Sequence, residues 1–361
     1  MSPVESLPVL EGLIRTAYVL AALSLLSWLV TYFRRQAQIR AQAREQAAEA
    51  ELTELILAQT EQDHPDGAPF RNLPRWRQRV LLRVLTGLLE QIQGAGRDRL
   101  ISLTRAMGVR QFLEHALRHG RIGDRIHAAI ILGEFADDLA ASALISALHD
   151  RNIGVRLTAA RALLSHRCVN LTLRSFLEAI RFSDQDPSIA LADIFDRLPP
   201  HWHAEAIAML GDGMPVNWRR MLVIALGRAR ASGALEAIAA LLREDDPRLR
   251  AAAWIGLAEL GDPAVHAIMP QGLADSSADV RITACHCAKR LQSTGCIPGL
   301  TRLLHADADW WVRYRAAQAL AGLGAEGRSA LLGAATGSSV QTADMGLLVL
   351  REYEAERAHA A

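Results

Sequence analysis

The stretch that decides the fold is DPRLRAAAWIGLA, residues 246–258, because close relatives of it recur along the chain. Counted from the arginine, the spacings between successive copies are 31, 63, 31, 31 and 32 residues, and 63 corresponds to two periods. The skipped copy, near Asp186–Ala190, keeps the helix start and has lost its arginine. The copies read RIHAAIILG (125–133), RLTAARALL (156–164), RRMLVIALG (219–227), RAAAWIGLA (250–258), RITACHCAK (281–289) and RYRAAQALA (313–321). Such a period indicates a repeat architecture.

Each repeat has the local signals of a helical hairpin. Asp246 suits an N-cap position and Pro247 the first helical position, while Gly261 suits a helix end. Second helices are predicted at Ala234–Leu242 and Ile297–Leu304. One hairpin cannot bury its apolar stripe alone, so neighbouring hairpins must stack. The sequence therefore predicts an all-α protein, an α-solenoid over residues 75–350 with a long concave face and a polar tail at 351–361.

The repeat resembles the HEAT repeat, in particular the short bacterial type shared with phycobilin lyases. The Asp-Pro-x-Leu-Arg start at Asp246, followed by alanines, carries this resemblance, which extends over about residues 123–332. It implies a structural ladder in which repeat arginines pair with aspartates of adjacent repeats. It also implies an alternative function, a lyase or isomerase that acts on a bound prosthetic group.

Composition narrows the function classes. Half of the 361 residues are hydrophobic and only 5% are aromatic, which favours closely packed helices. The net charge of +1 argues against a nucleic-acid binder. The four cysteines, Cys168, Cys285, Cys287 and Cys296, are too few for a disulfide framework and predict reduced thiols.

The N-terminal region predicts a membrane anchor. Residues 16–33 contain no charge, and with Leu13 and Ile14 they give about twenty residues, enough to cross a bilayer. One arginine, Arg15, precedes the uncharged residues 16–33, whereas Arg34 and Arg35 follow them, so the positive-inside rule places the repeats in the cytoplasm. We therefore expect a single-pass protein of the bacterial inner membrane. A cleaved signal peptide is the alternative.

The predicted anchor divides the N-terminal part of the chain into four segments. Residues 1–12 form a short extracytoplasmic N-terminus and residues 13–33 the transmembrane helix. Residues 34–62 form a juxtamembrane helix, and the breaker-rich residues 63–74 form a linker to the repeats.

The motifs that could indicate a cofactor-binding or metal-binding site have simpler structural explanations. The glycines of Gly322–Gly327 match a dinucleotide motif, but they follow a helix and predict a turn between repeat helices. His115 and His119 have a metal-ligand spacing without an evident third ligand. Cys285 and Cys287 lie on different faces of a helix and cannot share one ion. We therefore predict no enzyme activity, cofactor, metal or small-molecule substrate.

Two sets of residues are candidates for binding a protein partner. Trp310 and Trp311 start a repeat, and one of them is predicted as an exposed anchor; the alternative is that both fill the gap between repeats. The repeat arginines Arg219, Arg250, Arg281 and Arg313 either line a groove for an acidic partner or form the structural ladder.

A third set is predicted at a membrane surface. It consists of Arg34, Arg35, Arg75, Arg77, Arg79 and Arg83, and the alternative is a solvated helix face. Arg75 and Arg79 also fit half of a cyclic-dinucleotide motif whose other half is missing.

These observations together predict a membrane-anchored scaffold. Its partner would be a protein, such as an inner-membrane polysaccharide synthase, and it would not bind nucleic acid.

Overall fold

The computed structural model describes residues 7–62, 66–135, 137–166, 171–180, 189–211, 213–337 and 340–360. Within these ranges the secondary structure is helical and contains no strand, so the chain is all-α, as predicted. Contacts divide it into two compact units, Met1–Ala147 and Leu148–Ala361.

Among its described residues, the first unit contains six α-helices. They are α1 (Leu7–Thr60), α2 (Arg75–Gln91), α3 (Ala95–Ala106), α4 (Arg110–His119), α5 (Ile122–Gly133) and α6 (Asp138–Ala147). The C-terminal half of α1 packs on α2 and α3 and buries Ala48, Leu52 and Ile56. Fully burying a leucine or isoleucine side chain, such as that of Leu52 or Ile56, contributes roughly 1.5–3 kcal/mol. The predicted linker, residues 63–74, contains the buried Phe70, and Arg71 donates a hydrogen bond to the Ala106 carbonyl at 3.3 Å.

The described residues contain no helix that combines the length and the hydrophobicity needed to cross a membrane. This finding overturns the predicted transmembrane segment, residues 13–33, and with it the predicted bilayer contact and the location in the bacterial inner membrane. The stretch lies within α1, which continues without a break into the charged residues Arg34, Arg35 and Arg40, and this helix lacks the apolar length that a span requires. Residues 1–6 of the predicted N-terminal segment lie outside the described residues.

The second unit contains the regular repeats. Its helices are α7 (Ile153–Leu164), α8 (Leu173–Ile180), α9 (Ile189–Asp196), α10 (His203–Met209), α11 (Val216–Arg228), α12 (Ala234–Ala240), α13 (Pro247–Leu260), α14 (Val265–Leu273), α15 (Ala278–Arg290), α16 (Ile297–Ala306), α17 (Trp310–Gly322), α18 (Gly324–Ala335) and α19 (Val340–Ala360). The helices α11, α13, α15 and α17 pack on one another in sequence order. The degenerate copy at residues 186–188 lies outside the described residues.

The predicted helix signals are present in the second unit. Asp246 caps α13, its side chain accepts a hydrogen bond from the Arg248 N–H at 2.8 Å, and Pro247 is the first helical residue. Gly261 ends the same helix at φ +68°, a left-handed conformation that glycine adopts without a steric penalty. Ala253 and Leu257 are buried on the packed side of α13.

The described cysteines are buried in the second unit. Cys285 and Cys287 lie in α15 and Cys296 immediately before α16, while Cys168 lies outside the described residues. The Cys287 thiol donates a hydrogen bond to the Trp254 carbonyl, with an S···O distance of 3.4 Å. Burial raises the pKa of Cys285 and of Cys287 to about 12. Because the thiolate is the reactive form, these two side chains are protected chemically as well as sterically.

We therefore expect Cys285 and Cys287 to resist alkylation by iodoacetamide at pH 8 while the chain is folded. A Cys168→Ser variant limits the experiment to the three described thiols, and mass spectrometry locates the adducts. The same variant in urea is the control and should be alkylated completely at all three positions. Rapid alkylation of Cys285 or Cys287 in the folded chain would contradict this expectation.

Candidate functional site

Three aromatic side chains form an exposed surface at the start of α17. Trp310 is 44% exposed and Trp311 56% exposed, so neither fills the gap between repeats. Their rings make an edge-to-face contact with centroids 4.8 Å apart, and Tyr314 stacks on Trp310 at 5.3 Å. We call Trp310, Trp311 and Tyr314 the aromatic surface.

The local sequence explains why both tryptophans point outward. Asp309 caps α17, and its carboxylate accepts hydrogen bonds from the N–H groups of Trp311 at 2.8 Å and Val312 at 3.1 Å. This cap fixes the rotation of the helix start, and Val312 becomes the residue of the first turn that is buried. Trp310 and Tyr314 are four residues apart and therefore share one face of the helix.

Polar neighbours hold Tyr314 in place. Its hydroxyl donates a hydrogen bond to Glu352 Oε2 of α19 at 2.9 Å, and it accepts one from Gln318 Nε2 at 2.8 Å. The guanidinium of Arg315 lies 5.9 Å from the Tyr314 ring. The result is an apolar centre with a charged and amide rim, which is the usual composition of a protein-binding surface.

The repeat arginines occupy equivalent positions and interact within the chain. Arg219 pairs with Glu244, and Arg250 forms a two-point ion pair with Asp275, in which both N···O distances are 2.8 Å. Arg281 does the same with Asp307 at 2.7 and 2.9 Å. We call these three pairs the arginine ladder. Each arginine is the fourth residue of its helix.

The arginines also bind the loop that precedes their helix. Arg250 Nη1 donates a hydrogen bond to the Glu244 carbonyl at 2.9 Å, and Arg281 Nη1 donates to the Asp275 carbonyl at 2.9 Å. Arg313 donates equivalently to the Asp307 carbonyl at 2.7 Å. Each guanidinium thus donates hydrogen bonds to carbonyl groups that have no partner within the preceding helix. The same contacts connect adjacent repeats.

The electrostatics of the ladder favour its charged form. Burial by itself would raise the pKa of Asp307, but the hydrogen bonds from Arg281 and from the Asp309 N–H outweigh burial, so this pKa lies below its ordinary value. Burial alone would also raise the pKa of Asp275, but the hydrogen bonds from Arg250 and from the Ser277 N–H outweigh burial and lower this pKa. Hydrogen bonds to these carboxylates raise the pKa of Arg250 and of Arg281.

The predicted membrane-surface arginines are divided among three environments. Arg34 and Arg35 lie on the exposed surface of α1. Arg77 and Arg83 of α2 form ion pairs with Glu51 and Glu45 of α1, the second at 2.8 Å. Arg75 and Arg79 instead line a cavity between α2 and α4. The six residues therefore do not form one shared surface.

The other motifs are placed as follows. The stretch Gly322–Gly327 covers the last residue of α17, the connecting Leu323 and the first turn of α18, and Gly324 has φ +75°. The rings of His115 and His119 are 5.1 Å apart. Among the residues that the structure describes, no cluster of three histidine, cysteine, aspartate or glutamate side chains could hold a metal ion.

Two contributors to candidate sites were not singled out from the sequence. Tyr314 completes the aromatic surface, and its four-residue spacing from Trp310 is a signal that could have revealed it. Arg121 joins Arg75 and Arg79 from the start of α5, and no periodicity links residues so far apart in the chain.

Stacked hairpins with a recurring arginine position define the second unit as a helical-repeat structure. Residues 204–269 and 267–343 match the family model for HEAT repeats. The predicted HEAT repeats are thereby confirmed in this part of the chain. The match does not extend to the phycobilin-lyase type, and the lyase or isomerase alternative stays a prediction.

Solved helical proteins are similar to this chain in part. A crystal structure of a Kap121p mutant has 14% sequence identity and a TM-score of 0.35, over 83% of this chain and 45% of the Kap121p chain. The E. coli protein YibA has 19% identity and a TM-score of 0.37, over 71% of this chain and 98% of its own. Human deoxyhypusine hydroxylase has 18% identity and a TM-score of 0.30, over 86% of this chain and 98% of the hydroxylase chain. This chain thus spans less than half the length of Kap121p. No curated protein sequence matches it.

Proposed function

We propose that this protein is an interaction scaffold whose HEAT repeats present the aromatic surface to a protein partner. The observation that carries the proposal is the exposure of two adjacent tryptophans on a helix whose cap and core fix their direction. Tryptophan, tyrosine and arginine are the residues that most often dominate binding energy at protein interfaces. Trp310, Trp311, Tyr314 and Arg315 supply all three types within two helical turns.

Preorganisation adds to this argument. Tyr314 is held by Glu352 and Gln318, and the two indoles rest on each other, so little side-chain freedom remains to be lost on binding. Isolated exposed apolar side chains are common on proteins, whereas a contiguous aromatic group with a polar rim is typical of an interface. Arg281 and Arg313 contribute rigidity to this surface, because both guanidinium groups bind Asp307 in the loop that precedes α17.

The test of this proposal is a pair of single substitutions, Trp310→Ala and Trp311→Ala, in the full chain. We expect both variants to melt within a few degrees of the wild type, because neither indole is buried, and at least one to lose a partner that the wild type retains from a cell extract. Loss of a central tryptophan anchor typically costs about 2 kcal/mol or more of binding energy, roughly a thirtyfold weaker complex.

Two controls separate binding from folding. Leu332→Ala removes an exposed apolar side chain on α18, 52% exposed, and should change neither melting nor partner retention. Val312→Ala truncates the buried neighbour of the tryptophans and should lower the melting temperature. If both tryptophan variants retain every partner of the wild type, or both melt as low as Val312→Ala, the aromatic surface is not the binding site.

A further inference from the structure

A second candidate site lies in the first unit, away from the aromatic surface. Two adjoining cavities of about 260 and 280 Å³ have Arg79, Arg121 and Asp124 in common. The first is also lined by Arg75, Phe112, His115 and His119, and the second by Glu45, Trp76, Arg83 and His127. We call the two cavities together the arginine cleft.

The spacing of the basic residues on α2 builds one wall of this cleft. Arg75, Arg79 and Arg83 are four residues apart and lie on one face of the helix. Arg77 lies off this face and pairs with Glu51 of α1. Arg77 of α2 thereby attaches the helix to α1, Arg75 and Arg79 face the cleft, and Arg83 does both, because it lines the second cavity and pairs with Glu45 of α1.

The cleft carries an excess of positive charge. Its lining contains four arginines and two carboxylates, Glu45 and Asp124. Glu45 is occupied by Arg83 at 2.8 Å. Arg75, Arg79 and Arg121 form no ion pair with any residue in the described part of the chain. Three guanidinium groups therefore share one carboxylate, that of Asp124, which accepts a hydrogen bond from the Arg121 backbone N–H at 3.4 Å as part of the α5 cap.

Other elements add hydrogen-bond donors and a favourable dipole. The first turn of α5 lines the second cavity through Gly123 and Asp124, and the N-terminus of a helix carries partial positive charge. His115 and His119 of α4 face the first cavity, and an imidazole has at least one N–H donor in either protonation state. Donors therefore converge on the cleft from α2, α4 and α5.

We infer that the arginine cleft binds a phosphate group. A tetrahedral phosphate presents oxygens in several directions and can accept from guanidinium groups on different helices at once, whereas a carboxylate presents two oxygens in one plane. Each cavity is slightly smaller than the roughly 300–1,000 Å³ of pockets for drug-sized ligands, which suits a phosphate or pyrophosphate group with a small substituent. The partly buried Phe112 ring offers an apolar contact for that substituent.

The experiment is isothermal titration of the full chain with inorganic pyrophosphate at fixed ionic strength. Arg79→Gln removes the arginine that both cavities share, and we expect it to weaken binding at least about tenfold, because a charge-assisted contact is lost. Arg121→Gln tests the opposite wall and serves as the second variant if Arg79→Gln does not fold, as judged by circular dichroism. Arg99→Gln is the matched control, because Arg99 is exposed on α3 and lies outside both cavity linings; it should bind like the wild type.

A second arm identifies the source of the phosphate. The same variants are sedimented with phosphatidylcholine vesicles with and without phosphatidylglycerol. Pyrophosphate binding that depends on Arg79 or Arg121 assigns the cleft to a soluble phosphorylated ligand. Binding only to the phosphatidylglycerol vesicles, with the same dependence, assigns it to a lipid headgroup. If neither probe binds, or if Arg99→Gln weakens binding as much as the cleft variants, the inference is wrong.

Discussion

Replacing Asp307 with asparagine is expected to lower the free energy of unfolding of the second unit by about 3 kcal/mol, the lower end of the range for breaking a buried ion pair. The side chain of Asp307 is only 5% exposed and that of Arg281 only 16% exposed. The substitution leaves the Arg281 guanidinium buried opposite an amide that can turn an N–H group toward it. Urea unfolding followed by circular dichroism measures the loss.

The matched control is Asp279→Asn, which removes the same charge from an exposed position at the start of α15. It should change the free energy of unfolding by no more than about 0.5 kcal/mol. An equal effect of the two substitutions would mean that the ladder contributes nothing beyond net charge.

The effect of Asp307→Asn should also depend on pH. The pKa of Asp307 lies below its ordinary value of 3.8 in the folded chain, so its stabilising contribution is complete above that value and is lost as the pH falls through the folded-state pKa. The difference between the variant and the wild type should therefore shrink below about pH 3.8. A difference that stays constant down to pH 2 would contradict the assignment of the stabilisation to the charged pair.

The substitution Gly227→Ala is also expected to lower the stability of the second unit strongly. A Cβ atom on Gly227 would lie 2.3 Å from the carbonyl oxygen of Gly256 and 2.8 Å from its Cα, so α11 and α13 must move apart to admit a methyl group. Because the obstacle is backbone and not a flexible side chain, we expect a loss of about 3 kcal/mol, the upper part of the usual range for overpacking. Thermal and urea unfolding of the full chain measure it.

Gly333→Ala is the control for this prediction. Gly333 lies within α18 and is exposed, and no atom of another described helix lies within 4 Å of the position that its Cβ would occupy. Alanine is favoured over glycine by up to about 1 kcal/mol in a helix, so this variant should be slightly more stable than the wild type. A stabilising Gly227→Ala would show that α11 and α13 do not approach each other as closely as these distances require.

The repeated stretch predicted where the first helix of each regular repeat in the second unit begins and ends, because its capping signals are local. The N-cap at Asp246, the proline after it and the glycine at 261 act within one or two turns of helix, and their positions agree with the structure. The membrane prediction was wrong, because it was based on a run of apolar letters, whereas the helix that contains this run, α1, is not apolar over the length that a bilayer requires. Hydropathy alone did not settle that question.

Sequence by itself determined the helical period, the fourth-residue arginine and the pairing of each first helix with a second one. It did so because capping and periodic burial depend on neighbours along the chain. Only the tertiary structure decided which carboxylate each ladder arginine binds, that Trp310 and Trp311 both face outward, and that Arg121 joins Arg79 across a cleft. Those outcomes depend on residues brought together from separate helices, where the rotation of each helix is set by the packing of its buried side chains against its neighbours.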